Sequence, residues 1–274
     1  MVNNSTVASS KIRIDEWLVK IGEYTHLKEA QLAILGGYIR VNNQVVDKPG
    51  TLIKVTSRVQ NLYTASPYVS RGGEKLAGAI HYFTAHSGFM PSFIQDRVCL
   101  DVGISTGGFA DYLIQNHAKT VFGVDVGYGQ VDLKIKENPN VVVLERINAR
   151  TLTKEILEKS VEKRPQKKRD LSDIQFVVMD VSFISVLAIL PTMQKLVRPD
   201  THYMVLIKPQ FEAKKDQIPA GGVLKDLSVL DTILTDIKEK LTPHFTLVAE
   251  CPSPIKGAKG NQEFFFWLKN RYTG

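Results

Sequence analysis

From Val98 to Leu268 short apolar runs alternate with helix-compatible stretches, and this alternation constrains the fold more than any other feature of the chain. The runs are Val98 to Asp101, Thr120 to Asp125, Asn140 to Leu144, Phe176 to Asp180 and His202 to Lys208. Two more, Phe245 to Glu250 and Glu263 to Leu268, are expected to close the sheet antiparallel to each other. Apolar runs of this length between turn signals read as buried strands. Strands that alternate with helices predict an α/β fold, a mostly parallel, doubly wound Rossmann-like sheet covered on both faces. In such sheets ligands bind beyond the strand C-termini.

The first strand runs into DVGISTGGF, Asp101 to Phe109. Gly103, Gly107 and Gly108 let the backbone turn sharply and let a ligand approach without a Cβ in the way. The plain alternative is a tight turn that binds nothing. A dinucleotide fingerprint needs G-x-G-x-x-G, but Ile104 follows Gly103, and a P-loop needs G-K-[ST], but Phe109 follows Gly108. The arrangement that fits is that of a methyltransferase. Asp101 ends the first strand, and Ser105, Thr106 and the glycines offer backbone to the methionine part of S-adenosylmethionine. Asp125 ends the second strand, where it can accept from both ribose hydroxyls. Asn148 is placed to meet the adenine, although polar loop residues are often only turn formers.

Before the sheet lies a smaller module. Residues 1–10 are expected to be a disordered tail, with Ser10 capping a helix from Lys11. Ile14, Trp17, Leu18 and Ile21 mark one helical face. A second helix spans about Leu27 to Leu35 with Ala30, Ile34 and Leu35 inward. Tyr38 to Val46 reads as a hairpin turning at Asn42-Asn43, and Leu52 to Val55 as a short strand. Residues 1–60 carry eight basic and five acidic side chains, a net +3. The order of elements and GYIRVNNQVVDKPG resemble the αL-type RNA-binding module of a ribosomal protein, pseudouridine synthases and tyrosyl-tRNA synthetases. The resemblance covers residues 11–60 and implies phosphate contacts from Lys11, Arg13, Lys28, Arg40 and Lys48. The Ser-Arg pair common at the second helix is His26-Leu27 here, with Lys28 as the substitute cation.

Residues 61–69 are expected to link this module to a domain over 70–274. SRGGEKL, Ser70 to Leu76, opens a helix running to about His86, with Leu76, Ile80 and Phe83 on one face and Lys75 in its first turn. A cation there opposes the helix dipole. Arg71 is a further candidate RNA contact. The loop Lys163 to Asp170 reads as a solvated basic connector. The whole chain has 35 basic and 28 acidic residues, net +7, which points to a polyanionic partner. Cys99 and Cys251 stand alone and the six histidines have no metal-ligand spacing, so no metal site is expected. The polar N-terminus lacks a signal-peptide core, and Val177 to Leu190 is interrupted by Asp180, so a cytoplasmic protein that avoids membranes is expected.

Asp180 ends the fourth strand in DVSFIS, Lys208 the fifth in IKPQFE, Glu263 begins the last strand in GNQEFFFWL, and Lys75 comes from the helix before the sheet. Any one pair has a plain reading as a terminal salt bridge. Together the four match the K-D-K-E tetrad of the FtsJ-type ribose 2′-O-methyltransferases. The words SRGGEKL, DVGISTGGF, VDVGYGQ, ERINARTL, DVSFIS, IKPQFE, AGGVLKD and SPIKGAKGNQE resemble, more narrowly, the TlyA family, over nearly the whole chain. The resemblance implies 2′-O-methylation of cytidine in ribosomal RNA, with Lys75, Asp180, Lys208 and Glu263 catalytic, and with ribosomal RNA or ribosomal subunits as partner.

A ribose hydroxyl is a poor nucleophile until its proton is removed. Two lysines beside it would support the developing alkoxide. A lysine whose pKa is lowered by a neighbouring cation can serve as base. Lys208 is expected in that role, oriented by Asp180, while Lys75 and Glu263 hold the hydroxyl and the ribose. Three rivals stand beside this reading. A haemolysin is a label that relatives carry, but the chain shows no spanning segment and no long amphipathic basic helix. An RNA-binding protein with an inactive methyltransferase fold is opposed by the intact tetrad. Methylation of a base nitrogen often goes with Asn/Asp-Pro-Pro-aromatic after strand four, where this chain has Asp180-Val181-Ser182-Phe183.

Overall fold

The structure, a computed structural model, describes residues 10–62, 66–162, 174–257 and 259–271. The expected tail over 1–9, the basic connector Lys163 to Asp170 and part of the linker lie outside the described residues. The chain divides into two compact units, residues 1–65 and 66–274.

The first unit contains β1 (Lys11–Arg13), α1 (Ile14–Lys20), α2 (Leu27–Leu35), β2 (Ile39–Val41), β3 (Gln44–Val46), β4 (Leu52–Lys54) and β5 (Val59–Asn61). Its core is Ile14, Leu18, Ala30, Ala33, Ile34, Ile39 and Ile53. The hairpin β2–β3 turns at Asn42 and Asn43, both at positive φ (50° and 66°), the pattern of a two-residue turn whose twist suits paired strands. Three expectations are corrected. Lys11 starts a strand, not a helix, because Ile12 alternates inward with two outward cations and pairs with Ile53. Leu35 points to solvent, 63% exposed, and Ala33 takes the inward position. Asn61 is not linker: β5, which ends there, pairs antiparallel with the free edge of β2, giving that edge the hydrogen-bond partners it needs.

The second unit begins with α3 (Arg71–His86). It continues through β6 (Val98–Val102), α4 (Gly108–Gln115), β7 (Thr120–Asp125), α5 (Leu133–Glu137), β8 (Val141–Glu145), α6 (Lys154–Glu162) and β9 (Ile174–Met179). It ends with α7 (Leu190–Leu196), β10 (His202–Ile207), α8 (Pro209–Glu212), α9 (Leu227–Leu241), β11 (Phe245–Pro252) and β12 (Phe264–Asn270). Seven strands form one sheet in the order β11-β12-β10-β9-β6-β7-β8. β6 to β10 run parallel, and β12 runs antiparallel to both β10 and β11. Separate apolar layers cover the two faces. One packs α3 and α4 through Leu76, Phe83, Phe109 and Leu113, and the other packs α7 and α9 through Leu190, Met193, Ile233 and Ile237.

From β6 the chain steps outward to β7 and β8, then returns to place β9 on the other side of β6. The order reverses between β6 and β9, and the loops leaving a reversal point diverge and open a crevice.

Candidate active site

The crevice lies where Gly103 and Asp180 leave β6 and β9. The strand register pairs Val102 with Met179, and the Asp180 N–H donates to the Val102 carbonyl at 3.0 Å. Gly103 has φ +85°, and a Cβ there would collide with the Asp180 carbonyl oxygen, so the position requires glycine twice over. Two cavities of about 480 and 460 Å³ meet at Gly103, Ser105 and Asp180. The larger reaches Asp125, Gln130 and Asn148, and the smaller reaches Thr106, Phe109, Arg71 and Lys75. Asp125 is fixed by two backbone donors, Ser105 N at 2.8 Å and Gly127 N at 2.7 Å. Each of its oxygens keeps a lone pair free. Asn148 Oδ1 accepts from Arg150 N at 3.0 Å, so that side chain does form a turn, and the residue also lines the larger cavity. Asp101 is buried, and its carboxylate has no side-chain partner among the described residues, with only the Ala110 backbone close enough to favour its charge. Burial, and then the charge of Asp180, push its pKa well above the carboxylate range.

The four charged residues assemble as two ion pairs at the same sheet edge. Lys208 Nζ lies 2.6 Å from Asp180 Oδ1 and donates to Ser182 Oγ at 2.8 Å. Lys75 Nζ lies 2.6 Å from Glu263 Oε2. Asp180 and Lys208 follow the last residues of two parallel strands. Glu263 comes before its strand, yet reaches the same edge because β12 is antiparallel: Phe264 pairs with Ile207. Lys75 is the fifth residue of α3, beyond the first turn expected from sequence. A further cavity of about 400 Å³ joins the pairs, lined by Lys75, Lys208, Glu263, Phe183, Phe211 and Lys259.

Residues 68–270 match the family described as FtsJ-like methyltransferase. The chain belongs to the FtsJ-like methyltransferases. Residues 12–59 match the S4 domain. The chain is 34% identical over 263 residues to the 16S/23S rRNA (cytidine-2′-O)-methyltransferase TlyA of Mycobacterium tuberculosis, covering 95% of this chain and 91% of that protein. It is 34% identical over 254 residues to Hemolysin A of Brachyspira hyodysenteriae, covering 92% and 98%. A solved structure of a Streptococcus thermophilus protein described as a hemolysin superposes with a TM-score of 0.69 at 30% identity, covering 97% of this chain and 90% of that one. Among the described residues no helix is long and apolar enough to cross a membrane, and no group of His, Cys, Asp or Glu is arranged to hold a metal.

Two expected cofactor residues of this FtsJ-like chain also serve packing. Gly107 (φ +98°) abuts Ile135 and lies outside both cavities. Gly108 lines the smaller cavity and also lets α4 touch α3: a Cβ there would meet Gly73 N at 2.7 Å. In the S4-type unit Lys11, Lys28, Arg40 and Lys48 are exposed. Arg13 is held by Asp15 through two hydrogen bonds, and this pairing lowers the Asp15 pKa to about 2. Arg71 donates to the Lys256 carbonyl at 3.0 Å.

Sequence reasoning missed Ser182, Phe183 and Phe211. Phe183 is 91% exposed at φ +65°, backbone that bulky residues rarely adopt. Its ring lies 5.0 Å from that of Phe211, whose face is 5.8 Å from Lys208 Nζ. Both phenylalanines stand inside the words DVSFIS and IKPQFE, but a loop residue and a residue of a single-turn helix have no periodicity to mark them. The one available signal was an aromatic three residues after each strand-ending charge.

Proposed function

We propose that this chain transfers a methyl group from S-adenosylmethionine to the ribose 2′-hydroxyl of a cytidine in ribosomal RNA. One observation carries the reading: the Lys208–Asp180 and Lys75–Glu263 pairs converge beside the glycine turn at the switch point. The family, the S4-type unit and the name of the M. tuberculosis relative supply the substrate class. A ribosomal substrate also puts the work in the cytoplasm.

The residues fit the cofactor. Gly103 leaves backbone bare where a Cβ is sterically barred, and Asp101 presents buried polar atoms with no side-chain partner among the described residues. Asp125 offers its remaining lone pairs to the ribose hydroxyls, and Asn148, which lines the larger cavity, would meet the adenine. When bound, S-adenosylmethionine supplies a methyl group already activated by its sulfonium.

The rest falls to the chain's own side chains. Asp180 and Ser182 fix the Lys208 nitrogen from two directions. That nitrogen is the group we assign to take the proton from the 2′-oxygen. Lys75 supports the developing alkoxide. Glu263 orients Lys75, and Phe183 with Phe211 offers an aromatic face to the base. Labelled methyl transfer to isolated ribosomal subunits and naked rRNA, with mapping of the modified nucleotide, tests the reading. Label at a cytidine 2′-oxygen is the expected result, and no transfer to any RNA sinks it.

A further inference from the structure

The segment between β11 and β12 carries two lysines that the reaction above does not use. Lys256 is exposed and lines the cavity shared by Lys75, Arg71 and the glycine turn. Lys259, also exposed, lines the cavity shared by Lys75, Lys208 and Glu263. Lys75 borders both cavities, so the two lysines approach the tetrad through different openings. Neither has an ion-pair partner among the described residues. The tetrad balances two cations with two carboxylates, so the uncompensated charge at its mouth comes from these lysines together with Arg71.

The backbone that presents them is built in. Arg71 donates to the Lys256 carbonyl at 3.0 Å. Gly257 N donates to Asn261 O at 2.9 Å, and Gly260 N to Gly257 O at 2.8 Å, with Gly260 at φ +90°. A Cβ at Gly257 would collide with the Glu263 carboxylate, so the loop lies directly over that residue. Asn261 is 3% exposed and bridges to Gly222 O at 2.9 Å and Leu224 N at 2.8 Å. A solvated connector needs none of these restraints.

Covalent structure says what such a pair would meet. An acceptor ribose inside an RNA strand carries one phosphate through its O3′ and another through its O5′. A 2′-oxygen placed at the tetrad therefore brings a phosphate to each side of it. We propose that Lys256 and Lys259 form a two-sided phosphate clamp that grips the RNA backbone flanking the acceptor ribose. The clamp rests on the functional reading above and adds to it a sequence-independent subsite within the methyltransferase unit.

Full-length Lys256→Gln, Lys259→Gln and the double variant are titrated against isolated ribosomal subunits over a series of KCl concentrations. Cofactor affinity is measured in parallel. Lys119→Gln is the charge control, because Lys119 is exposed and precedes β7, at the opposite edge of the sheet. Neutralising one phosphate contact lowers the slope of log affinity against log salt by about 0.7 to 0.9, so the double variant is expected to lose about 1.5 and the control nothing. An unchanged slope, or one lowered equally by Lys119→Gln, overturns the clamp. So does a Lys256→Gln defect confined to cofactor affinity, which would assign that lysine to the cofactor carboxylate. Wild-type protein that transfers no methyl to any RNA sinks the functional reading itself. Wild-type protein that methylates, with variant slopes unchanged, sinks the clamp alone.

Discussion

Lys75 and Lys208 meet their carboxylates at the same 2.6 Å, but burial separates what their loss would do. The Glu263 side chain is 3% exposed and that of Asp180 is 22%. Removing Lys75 strands a charge with no water to solvate it, which costs about 3–5 kcal/mol. Lys75→Ala is therefore expected to lower the Tm by about 6 °C or more, at roughly 2–4 °C per kcal/mol for a domain of about 150–250 residues. Adding Glu263→Gln removes the stranded charge, so the double variant recovers most of the Tm in calorimetry while methyl transfer stays lost. Lys208→Ala is the milder case for the fold. The Asp180 side chain is 22% exposed, although its Oδ1, the atom that Lys208 meets, is itself buried, so a smaller loss of Tm is expected, while a positioned base accounts for about 10²–10⁴-fold in rate. Turnover measured with cofactor binding intact should fall by that order. Near-normal turnover would remove Lys208 from the role of base.

At the scale of elements, the contact between α3 and α4 sets where Lys75 stands. Gly72 and Gly108 bring the two helix N-termini together, and a Cβ on Gly108 would meet Ser70 Oγ and Gly73 N. Alanine normally favours a helix over glycine by about 1 kcal/mol. Here the obstacle is backbone, which cannot rotate away, and overpacking of this kind costs about 1–3 kcal/mol. The clash outweighs the helical gain, so Gly108→Ala is expected to lower the Tm and, by tilting α3, to lower kcat more than it raises the KM for RNA. Steady-state kinetics beside thermal melts check both. SRGG was legible as a helix start and STGG as a turn, but their meeting was not, because a close approach between distant segments leaves no local pattern. The strands of the sheet were legible for the converse reason: burial on both faces forces a continuous apolar run, and a charge at its end marks the edge. β1 and β5 were not, since three-residue strands owe their existence to a partner strand rather than to their own periodicity. Among the site residues, those ending strands could be read from the sequence, whereas Ser182, Phe183 and Lys256 sit on loops where only the folded backbone decides what a side chain faces.

Across the whole molecule, charge is divided between two tasks. Residues 1–60 hold +3 of the net +7. Lys28, Arg40 and Lys48 are exposed and have no ion pair among the described residues, while Arg13 is committed to Asp15. An S4-type unit of this charge is suited to gripping phosphates without reading bases, because a lysine or arginine at the surface meets the backbone wherever a strand passes. The reaction instead requires one hydroxyl at one tetrad, so affinity from the first unit and chemistry in the second are separable by mutation. Lys28→Ala/Arg40→Ala/Lys48→Ala is expected to weaken binding to ribosomal subunits and to flatten its salt dependence by about 2 to 3 in slope if all three touch phosphate. Cofactor affinity, which involves none of these side chains, should stay at the wild-type value. Because loss of affinity falls on complex formation and not on the bound complex, the KM for RNA should rise while kcat at saturating RNA is kept. A fall in kcat with KM unchanged would mean that the first unit orients the bound strand instead of capturing it.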